Sequence, residues 1–151
     1  MTDLHRVTGD QLTVAQLYAV LTLRVNVFVV EQRSPYPDLD GRDLRPDTVH
    51  YWWAPGDEPV AYLRLLTEPD GALRIGRVCV APDARGTGLG SRLTAAALAD
   101  IGDRDAVLDA QTAVRDLYAR FGFEPVGEPY DDFGVPHVMM RRPGQRVGRS
   151  G

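Results

Sequence analysis

The sequence predicts a single α/β domain built on a mixed, mostly antiparallel sheet. Three observations carry that prediction. Apolar runs of strand length alternate with three segments of helical period. Turn residues join several of those runs as hairpins, which makes their strands antiparallel neighbours. One run instead leads through a glycine-rich turn into a helix before the next strand, a β-α-β unit that implies a parallel pair.

Residues 4–8, LHRVT, read as the first strand. Thr13 and Gln16 then stand at capping-box spacing and open a helix running to Phe28. Val14, Leu17, Leu21, Val25 and Phe28 recur at helical spacing and predict one core-facing stripe. Residues 29–47 break into prolines, aspartates and a glycine, a long polar loop of the kind that often carries function. Asp38, Asp40 and Asp43, with Glu31, could attract a cationic amine, but Arg33, Arg42 and Arg45 interleave with them, which favours a solvated loop, and the spacing does not match calcium ligands.

VHYWWA and EPVAYLRLLT follow as a hairpin around Pro55-Gly56-Asp57. The adjacent rings of Tyr51, Trp52 and Trp53 alternate faces on a strand, so core packing explains them better than base stacking. After the turn 68–71, ALRIGRVCVA is another strand. A helix from about 88 to 101 places Leu89, Leu93, Ala97 and Ile101 on one face and stops at Gly102. AVLDAQ is a core strand, and Thr112 is the candidate cap of a short helix ending at Gly122. FEPVGEPY and VPHVMMRR form a final hairpin around residues 131–134, with Pro136 expected at an edge or bulge. The domain is assigned to residues 1–142, and residues 143–151 to a disordered tail.

Composition narrows the function. The 151 residues carry a net charge of −4, unlike the basic footprint of a nucleic-acid binder. All 17 basic residues are arginine, which excludes a Walker A lysine, a lysine Schiff base and a lysine general base. Cys79 is the single cysteine, too little for a disulfide or a structural zinc site, and its apolar run predicts an inert, packed thiol. No metal site is predicted. The polar N-terminus and the absence of an apolar run near ~18 residues predict a cytoplasmic protein without membrane contact.

The segment VCVAPDARGTGLGSRL sets Gly86, Gly88 and Gly90 between a strand and a helix. Free N–H groups at such a helix start make an anion site, and Arg85 can add a charged contact. A tight turn is the competing account. The dinucleotide pattern G-x-G-x-x-G fails because Ser91 stands where the third glycine belongs.

Arg85 to Gly90 fits [QR]-x-x-G-x-[GA] and resembles the acetyl-CoA pyrophosphate loop of the GNAT superfamily of N-acetyltransferases. LYARFGF (117–123) resembles that family's second signature, and the element order matches its fold. LRVNVFVVEQ, PYPDLDG, IGRVCV and GVPHVMM resemble the ElaA-like branch. Gln111 and Val114 depart from the asparagine and alanine often found before the tyrosine, so Gln111 receives no role.

The resemblance implies direct acetyl transfer from acetyl-CoA, as co-substrate, to a primary amine. A bulge would free the backbone of Val78, Cys79 and Val80 for the thioester arm. Arg85, Gly86, Thr87, Gly88, Leu89, Gly90 and Ser91 would cradle the pyrophosphate, and Phe121 would flank the cofactor. Tyr118 would bind beside the thioester and protonate the leaving thiolate, although periodicity alone allows it to be a core ring. Glu31, His50 and His137 are the candidate bases, and Arg77 is left open between substrate carboxylate and acidic neighbour. The acceptor is a small molecule or peptide, and a homodimer is possible. The alternatives are a non-catalytic acyl-CoA-binding module and transfer of a longer acyl chain.

Overall fold

The computed structural model describes residues 3–144. Its strands are β1 (Leu4–Thr8), β2 (Val49–Trp53), β3 (Ala61–Thr67), β4 (Leu73–Val80), β5 (Ala106–Gln111), β6 (Glu124–Asp132) and β7 (Val135–Arg142). The helices are α1 (Val14–Val25), α2 (Leu89–Ile101) and α3 (Arg115–Ala119). The seven strands form one sheet in the order β1-β2-β3-β4-β5-β7-β6, and only the β4–β5 pair is parallel. The predicted mixed sheet is therefore present, with its parallel pair at the β-α-β unit.

Two apolar layers cover the faces. Val20, Leu23 and Val27 from the α1 segment pack with Trp52, Tyr62 and Cys79. Leu89, Leu93, Ala97 and Ile101 of α2 pack on the other face with Tyr51, Leu63, Leu65 and Ile75. Tyr51 and Trp52 thus fall on opposite faces, as strand alternation requires.

The capping box at Thr13 and Gln16 forms, each side chain bonding the other's backbone N–H at 3.0 Å. The predicted stripe does not. Val14 is 85% exposed, while Val20, Leu23, Arg24 and Val27 face the sheet. Apolar residues ring this helix, so periodicity could not choose a face; Arg24 chooses it by reaching buried aspartates.

Nor does the helix end at Phe28. It widens into a π-helical turn at Asn26–Glu31, with Gln32 N–H bonded to the Val27 carbonyl at 3.3 Å. The helical run Val14–Glu31 spans 18 residues, long and apolar enough by length and composition to cross a membrane, contrary to the expectation of no such run.

Thr112 does not cap α3: it opens a short 3-10 turn, and Val114 stands at the helix start without a side-chain bond. β7 lies inside the sheet, but its pairing with β5 stops at His137, so Pro136 removes no ladder bond on that side. Of the predicted tail, Gly144 N–H bonds the Asp105 carboxylate at 2.6 Å, and residues 145–151 lie outside the described residues.

Candidate active site

β4 and β5 share only two register pairs, Leu73 with Ala106 and Arg74 with Val107. Beyond them the strands part, and a cavity of about 800 Å³ opens between residues 75–80 of β4 and 108–111 of β5. A bulge accompanies the separation. On the β3 side Cys79 faces Tyr62 while Gly76 faces Arg64, so β4 holds one extra residue there. Arg77 takes a left-handed backbone with φ 55°.

Contacts with the loop hold that uncommon conformation. Arg77 donates to the Tyr36 hydroxyl at 2.5 Å and to the Asp38 carbonyl at 3.0 Å, and lies 4.9 Å over the Tyr36 ring. Its Nε is 3.0 Å from the Asp38 carboxylate. Arg77 thus pairs with an acidic neighbour. Asp38 and Asp43 are themselves buried and held by Arg24 of α1, at 3.0 and 2.6 Å. Arg64 of β3 reaches Asp43 at 2.9 Å and also bonds Asp40. The loop predicted to be solvated is instead fastened over the bulge. Burial opposes ionisation of Asp43, but hydrogen bonds and charge from the two arginines hold its carboxyl below the ordinary range.

At the glycine turn, Gly86 and Gly88 have φ of 81° and 79°, the left-handed region glycine favours. Gly90 sits inside α2, and a Cβ there would meet only Val80 Cγ2 at 3.8 Å. The first helical bond of α2 is donated by Arg92 to the Gly88 carbonyl at 3.0 Å, so the amides of Leu89, Gly90 and Ser91 have no acceptor in the helix. This is a fit for a diphosphate at the helix start.

The structure sorts the candidate residues. Glu31, Val78, Cys79, Val80, Arg85, Gly90, Tyr118 and His137 line the cavity. Tyr118 is 5% exposed, packs edge-on to Phe123, and has no hydroxyl partner among the described residues. Burial pushes its phenol up to about 12. His137 Nδ1 lies 2.8 Å from the Val135 carbonyl, which can only accept. The neutral ring therefore carries its proton on Nδ1 and its lone pair on Nε2.

Other candidates are placed elsewhere or already engaged. His50 is fully buried outside the cavity, with Nδ1 at 2.5 Å from the Tyr62 hydroxyl and Nε2 at 2.8 Å from the Asp43 carbonyl. It cannot meet a substrate. Glu31 forms a two-pronged ion pair with Arg85 at 2.5 and 2.6 Å, and those bonds hold its carboxyl below the usual range, against the role of base. Arg85 also donates to the Val80 carbonyl at 3.0 Å, so it braces the strand exit. Leu89 and Phe121 pack against the core. The Cys79 thiol joins the α1-side layer, where burial pushes it up to about 12.

A family model of the "Acetyltransferase (GNAT) domain" matches residues 25–143. The chain belongs to the GNAT acetyltransferase family. It is 48% identical over 145 residues to UPF0039 protein Rv2851c of Mycobacterium tuberculosis, covering 93% of each chain. It is 42% identical to protein ElaA of Escherichia coli, covering 93% of this chain and 94% of ElaA. The crystal structure of E. coli ElaA superposes with a TM-score of 0.88 at 40% identity over 94% of this chain and 99% of that one. An acyl-CoA N-acyltransferase from Pseudomonas aeruginosa gives 0.88 at 41% identity, with the same coverage.

Several walls of this GNAT cavity escaped sequence reasoning: Tyr36, Arg64, Arg74, Asp109, Tyr130 and Asp132. A signal existed for one. Arg64 interrupts the apolar AYLRLLT, and a charge inside a buried strand must find a partner. The others come from one loop and three strands that meet only in the fold.

Proposed function

We propose that this GNAT protein transfers the acetyl group of acetyl-CoA to a primary amine by direct attack in a ternary complex. The observation that carries the reading is one cavity joining three features. They are the parted strands with Val78–Val80, the α2 start at Gly90, and the hydroxyl of Tyr118, unpartnered among the described residues. Acetyl-CoA would supply an activated acyl thioester. The amine nitrogen forms the new C–N bond, the C–S bond breaks, and the products are an amide and a thiol.

The chain's residues divide the remaining work. Backbone amides at the β4 bulge would polarise the acyl carbonyl, a contribution of about 3 kcal/mol in comparable sites. His137 Nε2 would take the proton released by the ammonium as it becomes nucleophilic. Tyr118 stays protonated through the neutral range and would donate to the departing sulfur. Cys79 would carry no acyl group, because its thiol is buried and stays protonated.

Binding and turnover measurements test this. Titration calorimetry should show acetyl-CoA binding that collapses with dephosphorylated pantetheine; equal binding of both would remove the diphosphate from the glycine turn. Tyr118→Phe should keep acetyl-CoA affinity within about twofold and lose about a hundredfold in kcat. A protein that binds acetyl-CoA but releases no thiol with any amine would be a binding module. Comparing acetyl with longer acyl donors settles chain preference.

A further inference from the structure

The charges lining the cavity are matched in pairs, with one exception. Arg85 holds Glu31, Arg64 holds Asp40, and Arg77 holds Asp38. Arg42 and Arg74 share Glu68 at 3.3 and 2.9 Å, and Arg74 also bonds Asp109, whose other oxygen accepts from the Tyr130 hydroxyl at 2.9 Å. Asp132 also lines this wall. Its carboxylate has no hydrogen bond or ion pair among the described residues. An anionic acceptor would find every arginine occupied; a cation would find a free carboxylate.

The position of Asp132 is fixed. It ends β6, opposite Val135, two residues from Tyr130, which faces His137. Strand alternation puts Asp132, Tyr130 and His137 on one face, with Asp132 and His137 diagonal neighbours about 7 Å apart. The Tyr130 and His137 rings stack at 6.0 Å. Ser34 donates to the Phe133 carbonyl at 2.7 Å and Tyr36 meets the Phe133 ring edge-on at 5.9 Å, tying the hairpin tip to the loop over the bulge. Asp131 is spent on the turn, bonding Gly134 N–H at 3.1 Å.

A reacting amine must be neutral, whereas a carboxylate stabilises the ammonium form of a group beside it. Asp132 is therefore suited to a charge that does not react. We infer that Asp132 anchors a second positive charge on the acceptor, so that the substrate is a primary amine bearing another ammonium or guanidinium a few carbons away. This rests on the acetyl transfer proposed above. One end is held charged at Asp132 while the other loses its proton near His137 and attacks.

The test compares putrescine, butylamine and γ-aminobutyrate, matched in carbon count, on the wild type, Asp132→Asn and Glu128→Gln. Glu128 is an exposed carboxylate on the same strand and controls for charge. Putrescine should exceed butylamine in kcat/KM by about tenfold, mainly through KM, and Asp132→Asn alone should erase that ratio while butylamine turnover stays within about twofold. Thermal unfolding checks that the variants are folded. An unchanged ratio in Asp132→Asn, or a wild-type preference for butylamine or γ-aminobutyrate, overturns the inference.

Putrescine is also titrated into the CoA-saturated protein. Asp132-dependent binding without turnover of any amine would retain this site and sink the transfer reading. Turnover with binding indifferent to Asp132 would do the reverse.

Discussion

Gly90 separates the two accounts of the glycine turn. Gly86 and Gly88 are required by their positive φ, so the turn itself explains them. Gly90 is not: a methyl group fits, with Val80 Cγ2 at 3.8 Å. Alanine also favours a helix over glycine by about 1 kcal/mol. Gly90→Ala should therefore unfold at the same temperature or higher, yet bind acetyl-CoA about tenfold more weakly, because its methyl would stand where the diphosphate approaches. Wild-type affinity in a calorimetric titration would mean the position serves the helix alone. This much was legible in the sequence, since glycine spacing is local. The candidate base was not: Glu31, His50 and His137 looked equivalent until their partners were known. Only His137 lines the cavity with a ring nitrogen left over.

At the scale of elements, α1, the 32–47 loop and β2–β4 are joined through buried charge. Interleaved aspartates and arginines in a linear stretch resemble a solvated loop. Their true partners, Arg24, Arg64 and Arg77, come from three other elements. Each of those arginines sits in an apolar run, and that was the available sign of burial. His50 extends the same network by spanning β3 and the loop. Burial holds its imidazole below the ordinary value of 6.5. Below that pH the unfolded chain takes up a proton that the folded chain refuses, so stability must fall as pH falls toward the folded value. The slope from this group is at most about 1.4 kcal/mol per pH unit, and its contribution is complete above pH ~6.5. Urea unfolding between about pH 7 and 5 should therefore show a shallower decline in His50→Gln than in the wild type, whatever the offset at neutral pH. Equal slopes would show that His50 does not titrate on unfolding.

For the whole molecule, the sheet is two antiparallel blocks, β1–β4 and β5-β7-β6, joined by two register pairs and a shared α2-side core. Element order announced the parallel pair. It could not announce how short the pairing is, because the separation depends on a bulge at Arg77, a non-glycine residue held at positive φ by a distant loop. The wedge leaves backbone of β4 and β5 without ladder partners where an extended acyl-pantetheine arm could lie. If that arm fills the wedge, acetyl-CoA should protect amides around residues 78–80 and 110–111 from hydrogen exchange, along with those at 86–91. Excess ligand at about 100 times Kd should add about 2.7 kcal/mol and raise the unfolding temperature by roughly 5–10 °C. Adenosine 3′,5′-bisphosphate, lacking both the arm and the diphosphate, should leave the wedge unprotected. Should full acetyl-CoA protect only the glycine turn, the arm does not lie between the strands, and Tyr118 would then be a packed ring with no thiolate to protonate.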